Sequence, residues 1–236
     1  MRLVIGIVAI CAFGAFGTGA PALAEDSAGA GDTLTDASAP TPAPVAPAAA
    51  APGQMTVIPR ARWDHRPDGG DWTAAAWAAL DGPGAGVLSI VPRDIDTWCP
   101  AYRDAGPAQR KAFWVGFVSA LARHESTHRA QAVGGGGRWF GLMQIAPATA
   151  RGYGCAAGTG EALKDGPANL TCALRIMAVT VPRDGVIADH DGRWRGVAAD
   201  WGPLTSRQRR DDMAGWLRRQ SYCVPIRTIR PKARPF

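Results

Sequence analysis

The chain of 236 residues carries 26 Lys and Arg against 20 Asp and Glu, and 47% of it is hydrophobic, which excludes a wholly disordered chain. At about 100–200 residues per domain it has room for one or two domains. Gly and Pro make up roughly a fifth of it, too little for low complexity throughout, and no collagen period, heptad pattern or longer repeat runs through it.

The apolar run Leu3 to Ala20 sits behind Arg2 and leads to Ala22-Leu23-Ala24, with small residues at the positions a signal peptidase inspects. It predicts a signal peptide over residues 1–24, cleaved after Ala24, against the competing reading of a retained N-terminal anchor. Cys11 follows Ile10 rather than the small residue of a lipoprotein signal. Residues 25–56 are expected to be a disordered linker: from Glu25 to Gln54 the chain is almost entirely Ala, Pro, Gly, Ser and Thr with four acids and no base, a composition that buries too little apolar surface to offset its ordering entropy.

Beyond the linker the periodic segments read as helices. Asp71 is a candidate cap for Trp72 to Leu80, and residues 57–103 are expected to form a helical extension. Pro107 suits the first turn of a long helix in which Phe113, Phe117 and Leu121 share a face, running into Arg123-His124-Glu125. Gly134 to Gly137 forbid its continuation. Further helices are expected at Asn169 to Met177 and near Ser206 to Gln220, with few convincing alternating strands. No acid follows Asp212, whereas Arg218, Arg219, Arg227, Arg230, Lys232 and Arg234 do, and residues 224–236 form a basic tail. Without the leader and linker the chain keeps 25 bases and 16 acids, a balance that suits an anionic polymer such as cell-wall material, nucleic acid or lipid headgroups, or a merely solvated tail.

After cleavage four cysteines remain, and an even number in an exported chain favours disulfides. Of the three pairings, Cys155 with Cys172 closes a short local loop and Cys99 with Cys223 ties the ends of the folded part together; these are the expected ones, with free buried thiols as the alternative.

His124-Glu125-Ser126-Thr127-His128 matches the pattern in which two histidines four apart on a helix hold zinc and the glutamate activates water. That reading lacks a third ligand at a zincin spacing, since the remaining histidines are His65 and His190, and it needs the helix to run through both histidines.

The same stretch resembles the soluble lytic transglycosylase family of the lysozyme superfamily, whose members cleave peptidoglycan glycan strands. Glu125-Ser126 end an apolar helix, Ala132-Val133 and glycines follow, and Gly141-Leu142-Met143-Gln144-Ile145-Ala146-Pro147-Ala148-Thr149-Ala150 match the family's Gly-Leu-Met-Gln run without a gap, with Asn169-Leu170 opening the next helix. The resemblance spans about Phe113 to Met177. It implies a mainly α fold, a lysozyme-like domain over residues 104–223 with the N-terminal helical extension packed on it.

It also implies one catalytic residue, Glu125, acting as acid and then base with no metal or other cofactor, so that the MurNAc-GlcNAc bond breaks with formation of a 1,6-anhydro-muramic end. Burial at the end of an apolar helix would hold its proton well above the ~4.3 of a free Glu. Ser126 and Gln144 are candidate polar supports for the acid or an acetamido group, Leu142 and Met143 candidate cleft wall, and Trp139 and Trp201 candidate sugar platforms. Asn169 either orients backbone near the acid or caps its helix. Two departures stand out: Arg138-Trp139-Phe140 carry one extra residue, and the later Tyr-Asn-Ala-Gly signature survives only as Ala199-Asp200-Trp201-Gly202-Pro203, with Tyr153 and Trp201 as candidates to stand in for its tyrosine.

Asp200 and Asp165 are candidate second carboxylates, expected to be surface charge or caps; one facing Glu125 across the cleft would favour lysozyme-type hydrolysis. The implied partners are peptidoglycan glycan strands, with no nucleic acid and no stable membrane insertion after cleavage, and a cell-wall or secretion-apparatus protein as a further candidate. The implied location is the periplasm or cell envelope. A cell-wall-binding module that has lost catalysis, suggested by the insertion and the absent tyrosine, is the remaining alternative.

Overall fold

The computed structural model describes residues 59–225; the expected signal peptide, the linker and nearly all of the basic tail lie outside them. The described chain is mainly helical: α1 (Gly69–Ala79), α2 (Ile95–Trp98), α3 (Pro107–Ser126), α4 (Pro147–Gly152), α5 (Gly166–Asp184) and α6 (Arg207–Arg218), joined by short 3-10 turns. Two small antiparallel ribbons interrupt them, β1 (Val133–Gly134) with β2 (Trp139–Phe140), and β3 (Ala188–His190) with β4 (Trp194–Gly196). Among the described residues no helix is long and apolar enough to cross a membrane.

The core is built around α3. Pro107 opens it, where a missing N–H costs nothing, and every residue from Lys111 to Ala122 is buried, as a helix apolar on all sides requires. Lys111 is the charged exception: its Nζ donates to Asp81 Oδ2 at 2.6 Å and lies 4.3 Å from the centre of the Trp77 ring. Trp98, Tyr102, Phe113, Trp114 and Phe117 meet largely edge to face with centroids 5.1–5.5 Å apart, and Trp114 Nε1 donates to Tyr102 Oη at 3.0 Å, so the buried indole keeps a partner. Gly116 has to be glycine, since a Cβ there would lie 2.0 Å from Tyr222 Oη.

The segment before α3 belongs to the same core: Trp63, Trp72, Ile95 and Trp98 are all buried with it, and α1 packs on α5 while α3 packs on α6. Disulfides join Cys99 to Cys223 across 124 positions and Cys155 to Cys172 across 17.

Some boundaries differ from the sequence reading. The first helix begins at Gly69, ahead of Asp71, which falls in its first turn. The fifth begins at Gly166 because Asp165 caps it, accepting from Ala168 N at 2.8 Å, with Pro167 in the first turn; Asn169 is therefore inside the helix and does not cap it. The β1–β2 hairpin, too short to show alternation, is where Arg138-Trp139-Phe140 lie.

Candidate active site

Glu125 stands in the last turn of α3, half-buried, and opens onto a cleft of about 570 Å³. The helix is stopped immediately after it. Thr127 and His128 both take positive φ, 54° and 57°, and the N–H groups of both reach back to the last turn of α3, His128 N to Ala122 O at 3.4 Å and Thr127 N to Arg123 O at 3.2 Å. A β-branched residue rarely adopts this conformation, and the strain sits beside the candidate acid.

This helix stop also separates the two histidines of the His-Glu-x-x-His pattern. His128 leaves the helix, is buried beneath it, and bonds Ser119 O through Nε2 at 2.9 Å with the His65 ring 5.3 Å away. Burial pushes its ring down to about 4. His124 instead turns to Asp212, with Nε2 2.8 Å from Oδ2. The two rings are committed to different partners and do not share a helical face, and among the described residues no group of three His, Cys, Asp or Glu is placed to hold a metal ion.

Burial pushes the Glu125 carboxyl up to about 7; the Arg209 guanidinium across the cleft pulls in the opposite direction and is outweighed. Its place among the carbonyl ends of α3 also disfavours a negative charge. Among the described residues no side chain hydrogen-bonds this half-buried carboxyl.

The opposite wall comes from the β1–β2 hairpin and the turn after it. Trp139 is 43% exposed, lies against Gly135, and carries Arg138 over its ring at 5.1 Å. Gln144 lines the cleft at a positive φ of 49°, and its Nε2 donates to Gly141 O (2.9 Å) and Ala132 O (3.2 Å), so only Oε1 is left for a ligand. The far rim holds Asp200, Trp201, Gly202 and Pro203. Trp201 is nearly buried and donates from Nε1 to Met143 O at 2.9 Å, which fixes the rim to the Gly141–Gln144 turn.

That turn is held by Asn169. Its Oδ1 accepts from Met143 N at 2.8 Å, and its Nδ2 donates to Leu163 O at 2.9 Å and Phe140 O at 3.0 Å. Gly141 makes the approach feasible: its φ is +80°, and a Cβ would lie 2.1 Å from Leu163 O and 2.3 Å from Asn169 Nδ2.

The structure thus gathers Glu125, Trp139, Gln144 and Trp201 around one cleft and sets the other candidates apart from it. Leu142 and Met143 are wholly buried, so they pack beneath the wall instead of forming its surface. Asn169 is wholly buried and grips backbone, so it positions the wall and cannot touch a ligand. Ser126 is buried, donating to Ala122 O and accepting from Arg129 N, which makes it part of the helix stop. Tyr153 is not among the cleft-lining residues; it lies near Arg183, Asp184 and Asp200.

Three cleft residues escaped the sequence reading of the site or were given other roles. His124 faces the cleft beside Glu125, and Arg209 comes from α6, remote in sequence and with no local motif to mark it. Asp200, expected to be surface charge, lines the cleft; it reaches solvent, yet burial of its carboxyl raises it, against the pull of Arg183. Asp165 is the cap of α5.

The transglycosylase SLT domain family matches residues 105–183, which run from the start of α3 almost to the end of α5. The solved wild-type structure of Bd0314 DslA is 31% identical with a TM-score of 0.64, covering 72% of this chain and 100% of that one. A glutamate-to-glutamine variant of the same protein is 30% identical with a TM-score of 0.64, covering 70% of this chain and 97% of that one. No curated protein sequence matches. With the cleft, its helix-end glutamate and the Gly141–Gln144 turn all inside or beside the matched span, the chain belongs to the SLT transglycosylase family.

Proposed function

We propose that the protein is an exported lytic transglycosylase that cleaves the MurNAc-GlcNAc bond of peptidoglycan and leaves a 1,6-anhydro-muramic end. One observation carries the reading: Glu125 is the carboxyl in the cleft that burial pushes up to about 7, so that it is protonated at the pH where it must act. In the first step Glu125 donates its proton to the departing glycosidic oxygen as the bond to the anomeric carbon breaks. The carboxylate then takes the proton of the muramic 6-hydroxyl as that oxygen closes onto the anomeric carbon, which restores the acid and consumes no water. The substrate's acetamido group steadies the cationic centre between these steps, within reach of the free Oε1 of Gln144, while Trp139 offers a ring face to a sugar.

Two disulfides in the described chain favour an oxidising compartment, in keeping with a substrate that lies outside the cytoplasm. Residues 1–24 as a cleaved signal, 25–56 as a linker, 57–103 as a helical extension, 104–223 as the catalytic domain and 224–236 as a tail make up the proposed organisation.

Asp200 favours a second reading, lysozyme-type hydrolysis, because it lines the same cleft as Glu125. Burial raises the Asp200 carboxyl and Arg183 pulls it back, and it is the product, not this shift, that separates the two readings: a hydrolase leaves water at the new end and a transglycosylase does not. Digestion of purified peptidoglycan followed by mass analysis of the muropeptides separates the two. Anhydro ends from the wild type, with release from Glu125→Gln reduced by about 10²–10⁴-fold, are expected. Products carrying water at the new end would establish hydrolysis, and equal background release from both proteins would leave a wall-binding module.

A further inference from the structure

A second pocket of about 400 Å³ lies away from the cleft, lined by Arg60, Arg62, Asp64, His65, Trp216 and Arg219 among others. Arg62 is already engaged: its Nη1 and Nη2 hold the two oxygens of Asp212 at 2.5 and 3.0 Å, and its backbone N donates to Ser119 Oγ at 2.7 Å. Arg60 and Arg219 are exposed, and among the described residues neither has an ion-pair partner. The single acid lining the pocket, Asp64, accepts from Ala61 N at 3.2 Å and faces three arginines.

The pocket and the cleft have no lining residue in common, and α6 with its C-cap Arg219 runs between them. Arg209 lines the cleft and Trp216 and Arg219 line the pocket, with Asp212 between them holding His124 of the cleft and Arg62 of the pocket. Positions 209, 212, 216 and 219 recur at helical spacing within one face, and at 1.5 Å per residue they span about 15 Å. A glycan strand that left the cleft along this face would pass from Arg209 towards Arg219. Trp216, half-buried, lies beside the arginines as a flat apolar surface.

We propose that this pocket is a distal subsite for the peptide stems of the strand being cut, with Arg60 and Arg219 binding stem carboxylates beside Trp216. The inference rests on the peptidoglycan reading of the cleft. Stems hang from the muramic residues and carry free carboxylates, so a strand held in the cleft brings these groups to a neighbouring site at a fixed distance. The planar guanidinium fork suits them, and Arg62 makes that same two-pronged bond with Asp212 a few residues away. Asp212 also balances Arg62, so the attraction falls to Arg60 and Arg219.

The test uses the Glu125→Gln chain, which leaves strands intact, and measures binding by co-sedimentation with stem-bearing sacculi and with glycan strands stripped of their stems by an amidase. The expected result is about tenfold tighter binding to stem-bearing material, a preference weakened by salt and reduced to about twofold or less by adding Arg60→Ala and Arg219→Ala. A charge-reversing Arg219→Glu alone, checked for an unchanged melting curve, should reduce the same preference. The proposal is overturned if the preference is absent, if it survives the double substitution, or if it disappears when phosphodiester-linked polymers are removed from the sacculi while the stems remain. Failure of the cleavage reading shows separately, as no soluble fragments from wild type on either substrate, since the binding ratio is read without turnover.

Discussion

Asn169 offers a direct test of how the cleft wall is held. Replacing it with leucine, which has nearly its shape and none of its polarity, removes three hydrogen bonds at once. Phe140 O keeps a partner in Ile145 N at 3.0 Å, but Met143 N and Leu163 O are left buried and alone. At about 1–3 kcal/mol for each orphaned buried group the loss is roughly 2–6 kcal/mol, a large part of the 5–15 kcal/mol that holds a domain together. A central value of about 4 kcal/mol lowers the melting midpoint of a chain this size by roughly 8–16 °C. Thermal and urea unfolding of Asn169→Leu measure this, and peptidoglycan release assayed well below the midpoint should also fall, because Gln144 follows the freed Met143.

Asn169→Asp refines the test. A protonated carboxyl can still accept from Met143 N and donate to one of the two carbonyls, whereas an ionised one is pressed against both. The folded-state pKa of the introduced group is therefore raised, and stability is fullest below the ordinary carboxylate range and lost as pH rises through the raised value. A leucine variant that melts within about 2 °C of wild type and keeps full activity would refute the account, as would an aspartate variant whose deficit does not grow with pH.

The remaining predictions concern the acid and the disulfides. If Glu125 is the acid proposed above, burial that holds it at about 7 should make kcat/KM fall on an alkaline limb near that value, about tenfold per pH unit beyond it. Arg209 pulls Glu125 down, so Arg209→Ala should move this limb to higher pH; a shift the other way, or none, counts against their proximity. The raised pKa also means that wild type loses stability as pH climbs from about 4.5 to about 7, while Glu125→Gln does not, so unfolding curves at the two ends of that window should show the variant gaining relative stability at the upper one. Breaking Cys99–Cys223 by paired Ala substitution should cost about 4–5 kcal/mol and breaking Cys155–Cys172 about 3 kcal/mol, since the first closes a loop of 124 positions and the second one of 17; equal losses in denaturant titrations would contradict this ordering.

What could be read from the residues alone follows the range over which each feature is encoded. The long central helix was legible because Pro107, the apolar run and the glycines after it all lie within one stretch, and the matched motifs brought Glu125, Trp139, Gln144 and Trp201 into view. The start of α5 was missed although Asp165-Gly166-Pro167 spell a capped helix opening, because Asn169 is itself a good cap residue and stood at the family position. Leu142 and Met143 could not be assigned between cleft wall and core, since an apolar side chain next to a site looks alike in both; only the backbone path, set by Gly141 and Asn169, decides it. Arg209 and Asp212 were out of reach for a different reason: they act on α3 across the fold, and helical periodicity says which residues share a face but not what that face meets.

Tyr222 Oη donates to Arg60 O at 2.9 Å, which pins the first and last described turns side by side. Cys223, the next residue, is bonded to Cys99, so this seam is fastened by a disulfide as well. A version trimmed to the described residues 59–225 could be rejoined at this seam by a brief spacer and cut open elsewhere, and the exposed turn at Asp191–Gly192 between β3 and β4 is a suitable place for the new ends. Such a circularly rearranged protein would keep its cleft while presenting its termini on a different side, which allows its orientation on a support to be chosen without altering a single residue that lines the cleft.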